Sequence, residues 1–266
     1  MDKQEIIKLV TDYVENSPEN VITEDFAINE EVVGMKIFDT PLLAFGDADN
    51  EDFKLLKDPS VIGEHFMLPK EWLPEAKTVI SIFLPFTEDV RKNNREYMDW
   101  PSPAWLHGRI EGQEFIKKLA KYLKTELINS GYKAIVPAQD ERFWGKNDQY
   151  TSNWSERHVA YVCGLGTFGL SKGLITKKGI AGRFCSVITD LSVPYDTREY
   201  KDIYEYCIMC GKCAENCPAN AISLENGKDH RKCHQFLLKT AEKFKPRVGC
   251  GKCQVAVPCE NKIPKR

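Results

Sequence analysis

The sequence predicts an α/β or α+β layered core at residues 1–195, followed by a small cysteine-rich domain at residues 196–266. Within the first 195 residues, segments with helical periodicity alternate with short β-branched segments, which is typical of layered folds. The cysteines mark the second domain, because eight of the ten lie between Cys207 and Cys259. Residues 194–201 form the predicted linker, and 266 residues leave room for one medium and one small domain.

Helices are predicted where apolar residues recur at spacings of three and four. Residues 3–16 follow this pattern and end before Pro18, which cannot continue a helix. Residues 106–129 have the strongest pattern, with one apolar face and with Lys and Glu on the other. Residues 154–163 are predicted as a third helix.

Short apolar or β-branched segments predict four strands, at residues 32–38, 78–84, 132–136 and 183–190. The segment 78–84 is apolar almost throughout, so we expect both of its faces to be buried. Polar and aromatic loops are expected at 87–104 and 137–152. Loops of this kind often line binding sites.

Composition and charge argue against several classes of protein. The hydrophobic share of 42% and the charged share of 29% are those of a globular protein. A net charge of −2 with a pI near 6.3 gives no broad attraction to nucleic acid or anionic membranes. No apolar run approaches the roughly 20 residues of a membrane span, and the charged residues 1–5 do not open a secretory signal. A cytoplasmic protein is expected.

Four of the cysteines form one continuous motif. Cys207, Cys210, Cys213 and Cys217 are spaced C-x2-C-x2-C-x3-C and are followed by Pro218. In this motif three thiolates bind one 4Fe-4S cluster, and the fourth points to a second cluster. A structural zinc site uses two C-x2-C pairs and does not need the third cysteine. The sequence therefore predicts iron–sulfur clusters and electron transfer.

The remaining four cysteines of this domain are less regularly spaced. In the swapped arrangement of two-cluster ferredoxins, one cluster is bound by Cys207, Cys210, Cys213 and Cys259, and the other by Cys217, Cys233, Cys250 and Cys253. The alternative is a single cluster with spare structural cysteines. Eight cysteines for eight ligand positions favour two clusters.

Two cysteines lie outside this domain. Cys185 falls in a predicted strand and is expected in the core, as lone cysteines usually are. Cys163 precedes a glycine-rich loop and is the better candidate for a reactive thiol.

That loop, residues 164–169, matches the G-x-G-x-x-G pattern, with Asp190 about 20 residues further on. A dinucleotide site is therefore one hypothesis. Such a site needs a helix directly after the loop to hold the phosphates, and three further glycines within residues 173–182 disfavour a helix there. The dinucleotide interpretation is consequently the weaker one.

Several segments resemble epoxyqueuosine reductases and, more distantly, cobalamin-dependent reductive dehalogenases. They are residues 156–169 (ERHVAYVCGLGTFG), 173–176 (GLIT), 187–191 (VITDL) and 250–254 (CGKCQ), within a match from about residue 130 to about residue 260. The resemblance implies a cobalamin-reductase-like core fused to a ferredoxin-like domain with two 4Fe-4S clusters. Electrons would pass through the clusters to the cobalamin, which would reduce an organic substrate.

The resemblance also implies cofactor-binding residues around the glycine-rich loop and the strand that follows it. They are Gly164, Leu165, Gly166, Phe168, Gly169, Arg183 and Thr189. An arginine in a strand is unusual unless it is paired or faces a ligand. An amide-rich or phosphate-bearing cofactor would suit Arg183.

Two residues are candidates for the proton donor. The family has an aspartate a few residues before the helix that enters the glycine-rich loop, but this chain carries an insertion there. Counting from the preceding strand reaches Pro137, with Asp140 nearby, whereas counting back from the loop reaches Tyr150. In the dehalogenases a tyrosine has this role, so both Tyr150 and Asp140 are candidate general acids.

The expected partners are a small organic or nucleoside-like substrate and an electron donor such as ferredoxin or flavodoxin. Leu170 and Ser171 stand where the family usually has Lys-Asn, and the sequence ends at Arg266, where family members commonly continue into a tRNA-binding helical-repeat domain. Together with the pI, this makes a tRNA partner doubtful. The alternative is a ferredoxin-like electron-transfer protein without cobalamin, which would lack a deep cavity beneath residues 164–190.

Overall fold

The structure, a computed structural model, describes residues 1–97, 99–146 and 149–265. Its helices are α1 Lys3–Asn16, α2 Asp52–Leu55, α3 Pro69–Trp72, α4 Glu88–Glu96, α5 Pro103–Asn129, α6 Glu156–Val162, α7 Lys212–Glu215 and α8 His230–Lys243. Its strands are β1 Leu42–Asp47, β2 Thr78–Pro85, β3 Ala134–Ile135, β4 Gly145–Lys146, β5 Thr151–Ser152, β6 Gly166–Phe168, β7 Leu174–Thr176, β8 Gly182–Thr189, β9 Ile222–Ser223 and β10 Gly227–Lys228. None of the helices in these ranges has the length and apolar character needed to cross a membrane.

A four-stranded sheet in the order β1-β2-β8-β3 forms the centre of the core. All three pairings are antiparallel, with Leu42 opposite Phe83 and Ile80 opposite Val187. All eight residues of β2 are buried, as the apolar segment 78–84 predicts. The core is therefore the α+β form of the predicted α/β (α+β) layered fold.

Both faces of this sheet are covered. Side chains alternate along a strand, so Ile80 and Ile82 pack with α1 and α5 on one face, whereas Val79 and Phe83 pack with α6 on the other. Burial on two faces explains why the sequence of β2 is apolar without alternation.

The helices α1 and α5 have clear end signals. Asp2 caps α1 by accepting hydrogen bonds from the backbone N–H groups of Gln4 and Glu5, and α1 matches the predicted range 3–16. Ser102 caps α5, with Pro103 at its first position, three residues before the predicted start at 106. The predicted helix at 154–163 and strand at 183–190 correspond to α6 and β8.

The predicted strand at 32–38 is wrong. Glu30–Val32 forms a 3-10 helix instead, and Lys36 and Phe38 make only isolated bridges. Gly34, with a φ of 80°, interrupts the extended conformation between them. A β-branched run therefore gave no strand because its middle residue turns the chain.

Two elements form in segments for which the sequence predicts neither a helix nor a strand. Leu42–Asp47 is the edge strand β1, and Glu88–Glu96 is the helix α4. Thr87 caps α4 through the backbone N–H of Val90, but the helix buries polar Asn side chains as well as Val90, so its apolar periodicity is weak. Positions 98, 147 and 148 of the predicted loops lie outside the described residues.

The cysteine-rich segment packs directly on α4 and α5. The buried Lys252 ammonium donates hydrogen bonds to the backbone carbonyls of Asn94, at 2.5 Å, and Tyr97. Gly251 lies so close to the Trp105 indole that a Cβ atom there would overlap it. The division at residue 195 stays a prediction, but these contacts fix the position of the cysteine-rich segment against the core.

Candidate functional site

Four thiols line a small cavity between the cysteine-rich segment and residues 169–180 of the core. Cys207, Cys210, Cys213 and Cys259 line a space of about 20 Å³ together with apolar residues such as Ile180. Burial and the charges of the other three thiols raise the pKa of Cys259 to about 12. We call these four residues the first thiol group.

The other four thiols line a separate, larger cavity of about 180 Å³. They are Cys217, Cys233, Cys250 and Cys253, the second thiol group. Burial raises the pKa of Cys250 to about 12, and the neighbouring charges of Cys253 and Cys233 act in the same direction. Metal binding needs deprotonated thiols, so iron has to displace protons from both groups.

The two thiol groups are neighbours. The charge of Cys253, in the second group, contributes to the raised pKa of Cys213 in the first. All ten cysteines are free thiols. Within residues 1–97, 99–146 and 149–265, no three Cys, His, Asp or Glu side chains are arranged to hold a single metal ion. The cluster assignment therefore depends on the motif and on the grouping of the thiols.

A cavity of about 560 Å³ lies next to the second thiol group. The two cavities share five wall residues, namely Arg109, Gly182, Arg183, Leu237 and Gln254. The wall of the large cavity comes from α5, α6, β8 and the segment 136–139, so it lies between the core sheet and the cysteine-rich segment. Its volume is in the range of small-molecule and cofactor sites.

The wall of the large cavity is cationic. Arg109, Arg157 and Arg183 line it, and burial together with the charges of the other two arginines lowers the pKa of Arg183 to about 9. One Arg183 amino group donates to the Gln113 side-chain oxygen, while its Nε and the Gln254 Oε1 have no hydrogen-bonding partner among the described residues. These groups can bind an anionic or amide-rich ligand.

Glu156 is the one acidic side chain among the described residues that line this cavity. Both of its carboxyl oxygens are buried and lack a hydrogen-bonding partner in the described part of the chain. Burial raises the Glu156 pKa to about 7, against a smaller opposing effect of Ser186 and Trp154. Sequence reasoning missed this residue, although an acid at the start of a short apolar helix could have drawn attention to it.

The glycine-rich loop does not form a dinucleotide site. The helix α6 precedes the loop, and the antiparallel hairpin β6–β7 follows it, so no helix N-terminus faces a phosphate at residues 164–176. Gly166 packs against the Ile175 carbonyl, where a Cβ atom would not fit. The dinucleotide hypothesis is wrong for a structural reason: the glycines permit a tight hairpin.

Most of the predicted cofactor residues lie away from the large cavity. Arg183 lines it, whereas Phe168 lines a neighbouring chamber of about 330 Å³ and Gly169 lines the cavity of the first thiol group. The Thr189 hydroxyl donates to the Lys133 carbonyl at 2.8 Å. The others, Gly164, Leu165 and Gly166, are not part of the large cavity's wall.

The two candidate proton donors have different surroundings. Tyr150, with a φ of 56°, lines the 330 Å³ chamber, which shares Ser152, Ser155 and Arg157 with the large cavity. Asp140 lies outside both walls and pairs with Arg142 at 2.7 Å, which lowers the Asp140 pKa. A low pKa makes Asp140 a poor general acid.

Cys163 is not a reactive thiol in this structure. Its side chain is 1% exposed and packs on Gly46. Burial raises the pKa of Cys163 far above its usual value, so the reactive thiolate does not form near neutral pH. The expectation that it is the more reactive of the two isolated cysteines has no support, because Cys185 is buried with a raised pKa as well.

Comparison with known proteins agrees with the site. A 4Fe-4S binding domain model matches residues 200–223, which include the continuous cysteine motif. The epoxyqueuosine reductase of Bacillus cereus is 26% identical over 212 residues, covering 71% of this chain and 50% of the relative. The chain thus spans about half the length of the curated relatives it matches.

Solved structures show the same fold. A crystal structure of epoxyqueuosine reductase with an epoxyqueuosine-modified tRNA-Tyr stem loop has a TM-score of 0.54 and 19% identity, covering 97% of this chain and 65% of the other. A reductive dehalogenase, whose structure suggests a mechanism for B12-dependent dehalogenation, has a TM-score of 0.55 and 17% identity. The match covers 84% of this chain and 30% of the dehalogenase. In sequence this chain is therefore epoxyqueuosine reductase-like, it shares its fold with a reductive dehalogenase, and it carries a ferredoxin-like 4Fe-4S domain at its carboxyl end.

Proposed function

We propose that this chain is an iron–sulfur oxidoreductase that passes electrons through two 4Fe-4S clusters to a cobalamin in the large cavity, where a small organic or nucleoside-like substrate is reduced. One observation carries the proposal: the cavity of about 560 Å³ shares five wall residues with the cavity of the second thiol group. A ligand there lies beside a cluster at the second group, as electron transfer requires.

The grouping of the thiols supports two clusters. Each cavity is lined by four cysteines, and the two sets are those expected from swapped ferredoxin ligation. The first group contains the exposed Cys210, and the second adjoins the large cavity. Electrons from a ferredoxin or flavodoxin would therefore enter at the first group and leave from the second.

The residues of the large cavity fit a cobalamin. The periphery of cobalamin carries amides and one phosphate. These groups could hydrogen-bond to the unpartnered Gln254 Oε1 and Arg183 Nε and pair with the three arginines of the wall. When bound, cobalamin would supply the metal centre that reduces the substrate. The arginines would bind and orient the ligand, and Leu237 would contact it from the cysteine-rich segment.

The substrate class follows from the relatives. A relative with the same fold binds an epoxyqueuosine-modified tRNA stem loop, so a nucleoside carrying an epoxide is the substrate we would test first. A net charge of −2 gives this chain no broad attraction for RNA. We therefore favour the free or short oligonucleotide form over intact tRNA, in a cytoplasmic setting.

Two measurements test the proposal. Anaerobic reconstitution should give about eight irons and eight sulfides per chain. Adding cobalamin to the cluster-loaded protein should produce the spectrum of the base-off form, and Arg183→Ala should weaken this binding. A content of about four irons per chain would exclude the second cluster. An unchanged spectrum at saturating cobalamin would exclude cobalamin as the cofactor.

The exposed Cys210 also suits a simpler function, a ferredoxin-like electron-transfer protein without cobalamin. An electron-transfer protein of this kind would not need a cationic cavity next to its second cluster. An unchanged cobalamin spectrum together with eight irons would favour this alternative.

A further inference from the structure

The large cavity contains one group that no step of electron transfer uses. Glu156 lines the cavity wall, and its two buried carboxyl oxygens have no hydrogen-bonding partner among the described residues. The Ser186 hydroxyl accepts a hydrogen bond from the Trp154 indole N–H at 3.0 Å, and both groups lie close enough to the carboxyl to oppose the effect of burial on its pKa. A buried carboxyl without a partner is costly, which indicates that a ligand or a proton satisfies it.

Charged groups from three elements line the cavity together with Glu156. Arg157 follows it on α6, Arg183 comes from β8, and Arg109 from α5, and all three line the same cavity. Behind the carboxyl, the thiols of Cys163 and Cys185 are buried, and the Glu156 charge contributes to their raised pKa values. The carboxyl therefore lies between a cationic, water-accessible cavity and an apolar interior.

We propose that Glu156 holds a proton at the wall of the large cavity and transfers it to the substrate during reduction. This inference rests on the proposed function. Conversion of an epoxide to an alkene breaks two C–O bonds, forms the second C–C bond and releases the oxygen as water, which consumes two electrons and two protons. The electrons come from an external one-electron donor through the clusters. Glu156 gives one proton: its O–H bond breaks, and an O–H bond of the released water forms. Water in the cavity gives the other proton.

The electrostatics of the site support this role. A general acid works best when its pKa is close to the operating pH, and burial brings the Glu156 pKa to about 7. Asp140 is ionised by its ion pair with Arg142. Tyr150 lines only the neighbouring chamber. Of these three groups, Glu156 alone is both protonated near neutral pH and part of the cavity.

The first experiment needs neither cobalamin nor substrate. Infrared difference spectra of the cluster-loaded protein are recorded against pH for the wild type, Glu156→Gln and the control Glu75→Gln. Glu75 is a surface carboxyl paired with Lys133, which lowers its pKa. The band of a protonated carboxyl should disappear as the pH rises through about 7 in the wild type and the control, and be missing in Glu156→Gln. A wild type without this band, or a band that survives in Glu156→Gln, overturns the proposal.

The second experiment measures reduction itself. With iron content and cobalamin affinity unchanged, Glu156→Gln should lower kcat by about 100-fold or more, whereas Glu156→Asp should recover part of the rate with a shifted pH profile. A wild-type kcat and pH profile in Glu156→Gln would contradict proton transfer. If the wild type itself binds no cobalamin, the proposed function fails, and the infrared titration still decides whether Glu156 carries a proton.

Discussion

Gly211 and Gly251 occupy equivalent positions in two copies of the same turn. Each is the second residue of a Cys-Gly-Lys-Cys sequence, and their φ angles of 76° and 70° are both left-handed. Each also precedes a one-turn helix that carries the last cysteine of its copy. The chain thus uses one local conformation twice, once for the first thiol group and once for the second.

The two glycines differ in their surroundings, which gives a first prediction. An added Cβ at Gly251 overlaps the Trp105 indole, whereas at Gly211 the nearest atom is the Leu224 Cδ1 at 3.6 Å. Left-handed backbone costs a non-glycine residue about 1–2 kcal/mol, so both Ala variants lose stability. In Gly251→Ala, overpacking against Trp105 should lower the free energy of unfolding by about a further 1–3 kcal/mol.

Chemical denaturation of the cluster-loaded protein checks this difference, with Gly211→Ala as the matched control. Gly251→Ala should have the lower midpoint and lose iron from the second thiol group first. Equal midpoints for the two variants would mean that the contact with Trp105 does not constrain the turn.

The fourth cysteine of the continuous motif provides a second prediction. Cys217 is contiguous in sequence with the first thiol group but lines the cavity of the second. Cys217→Ser should therefore disturb the same cluster as Cys253→Ser and leave the other cluster intact, with iron falling from about eight to about four per chain. Iron and sulfide analysis with electron paramagnetic resonance distinguishes the two clusters.

Cys185→Ala is the control for this experiment, because Cys185 is a buried core thiol outside both groups. It should retain the full iron content. If Cys217→Ser instead matched Cys207→Ser in its spectrum, the swapped assignment of ligands would be contradicted.

The predictable parts of the fold are those in which one physical factor dominates. The helix at 3–16 has a capping box and a strong apolar face, and β2 has an apolar sequence that only burial on two faces explains. The edge strand β1 was missed, since pairing with β2 determines it and its own sequence does not. The same limit applies to α4, whose polar Asn94 is buried by contacts with the distant Lys252.

The site likewise has parts that local sequence predicts and parts that depend on tertiary packing. The cysteine motif is local, so its spacing alone predicts the ligands of the first three positions. The large cavity is formed by α5, α6 and β8, and a residue such as Gln254 reaches it only after the cysteine-rich segment packs on the core. The raised pKa of Glu156 cannot be read from the sequence, because it comes from tertiary burial.

A third prediction concerns Arg183. Its guanidinium lines both the large cavity and that of the second thiol group, and its Nε has no partner in the described part of the chain. A hydrogen bond to a charged group contributes about 1.5–3 kcal/mol, so Arg183→Ala should raise the Kd for cobalamin by about tenfold or more. Arg142→Ala, which removes a surface ion pair, is the control. Equal cobalamin affinity in both variants would exclude Arg183 from the ligand site.

The last prediction is a pH dependence of stability caused by Glu156. Burial raises its pKa from 4.5 to about 7 in the folded protein. Between these pH values the folded state keeps the proton that the unfolded state has released, so the free energy of unfolding falls as the pH rises through this window. At 1.36 kcal/mol per pKa unit the fall amounts to roughly 3 kcal/mol, and Glu156→Gln removes it. The variant should therefore match the wild type below about pH 4.5 and exceed it above about pH 7. Denaturant titrations across this range measure the difference, and a constant difference between the two proteins would show that Glu156 is ionised throughout.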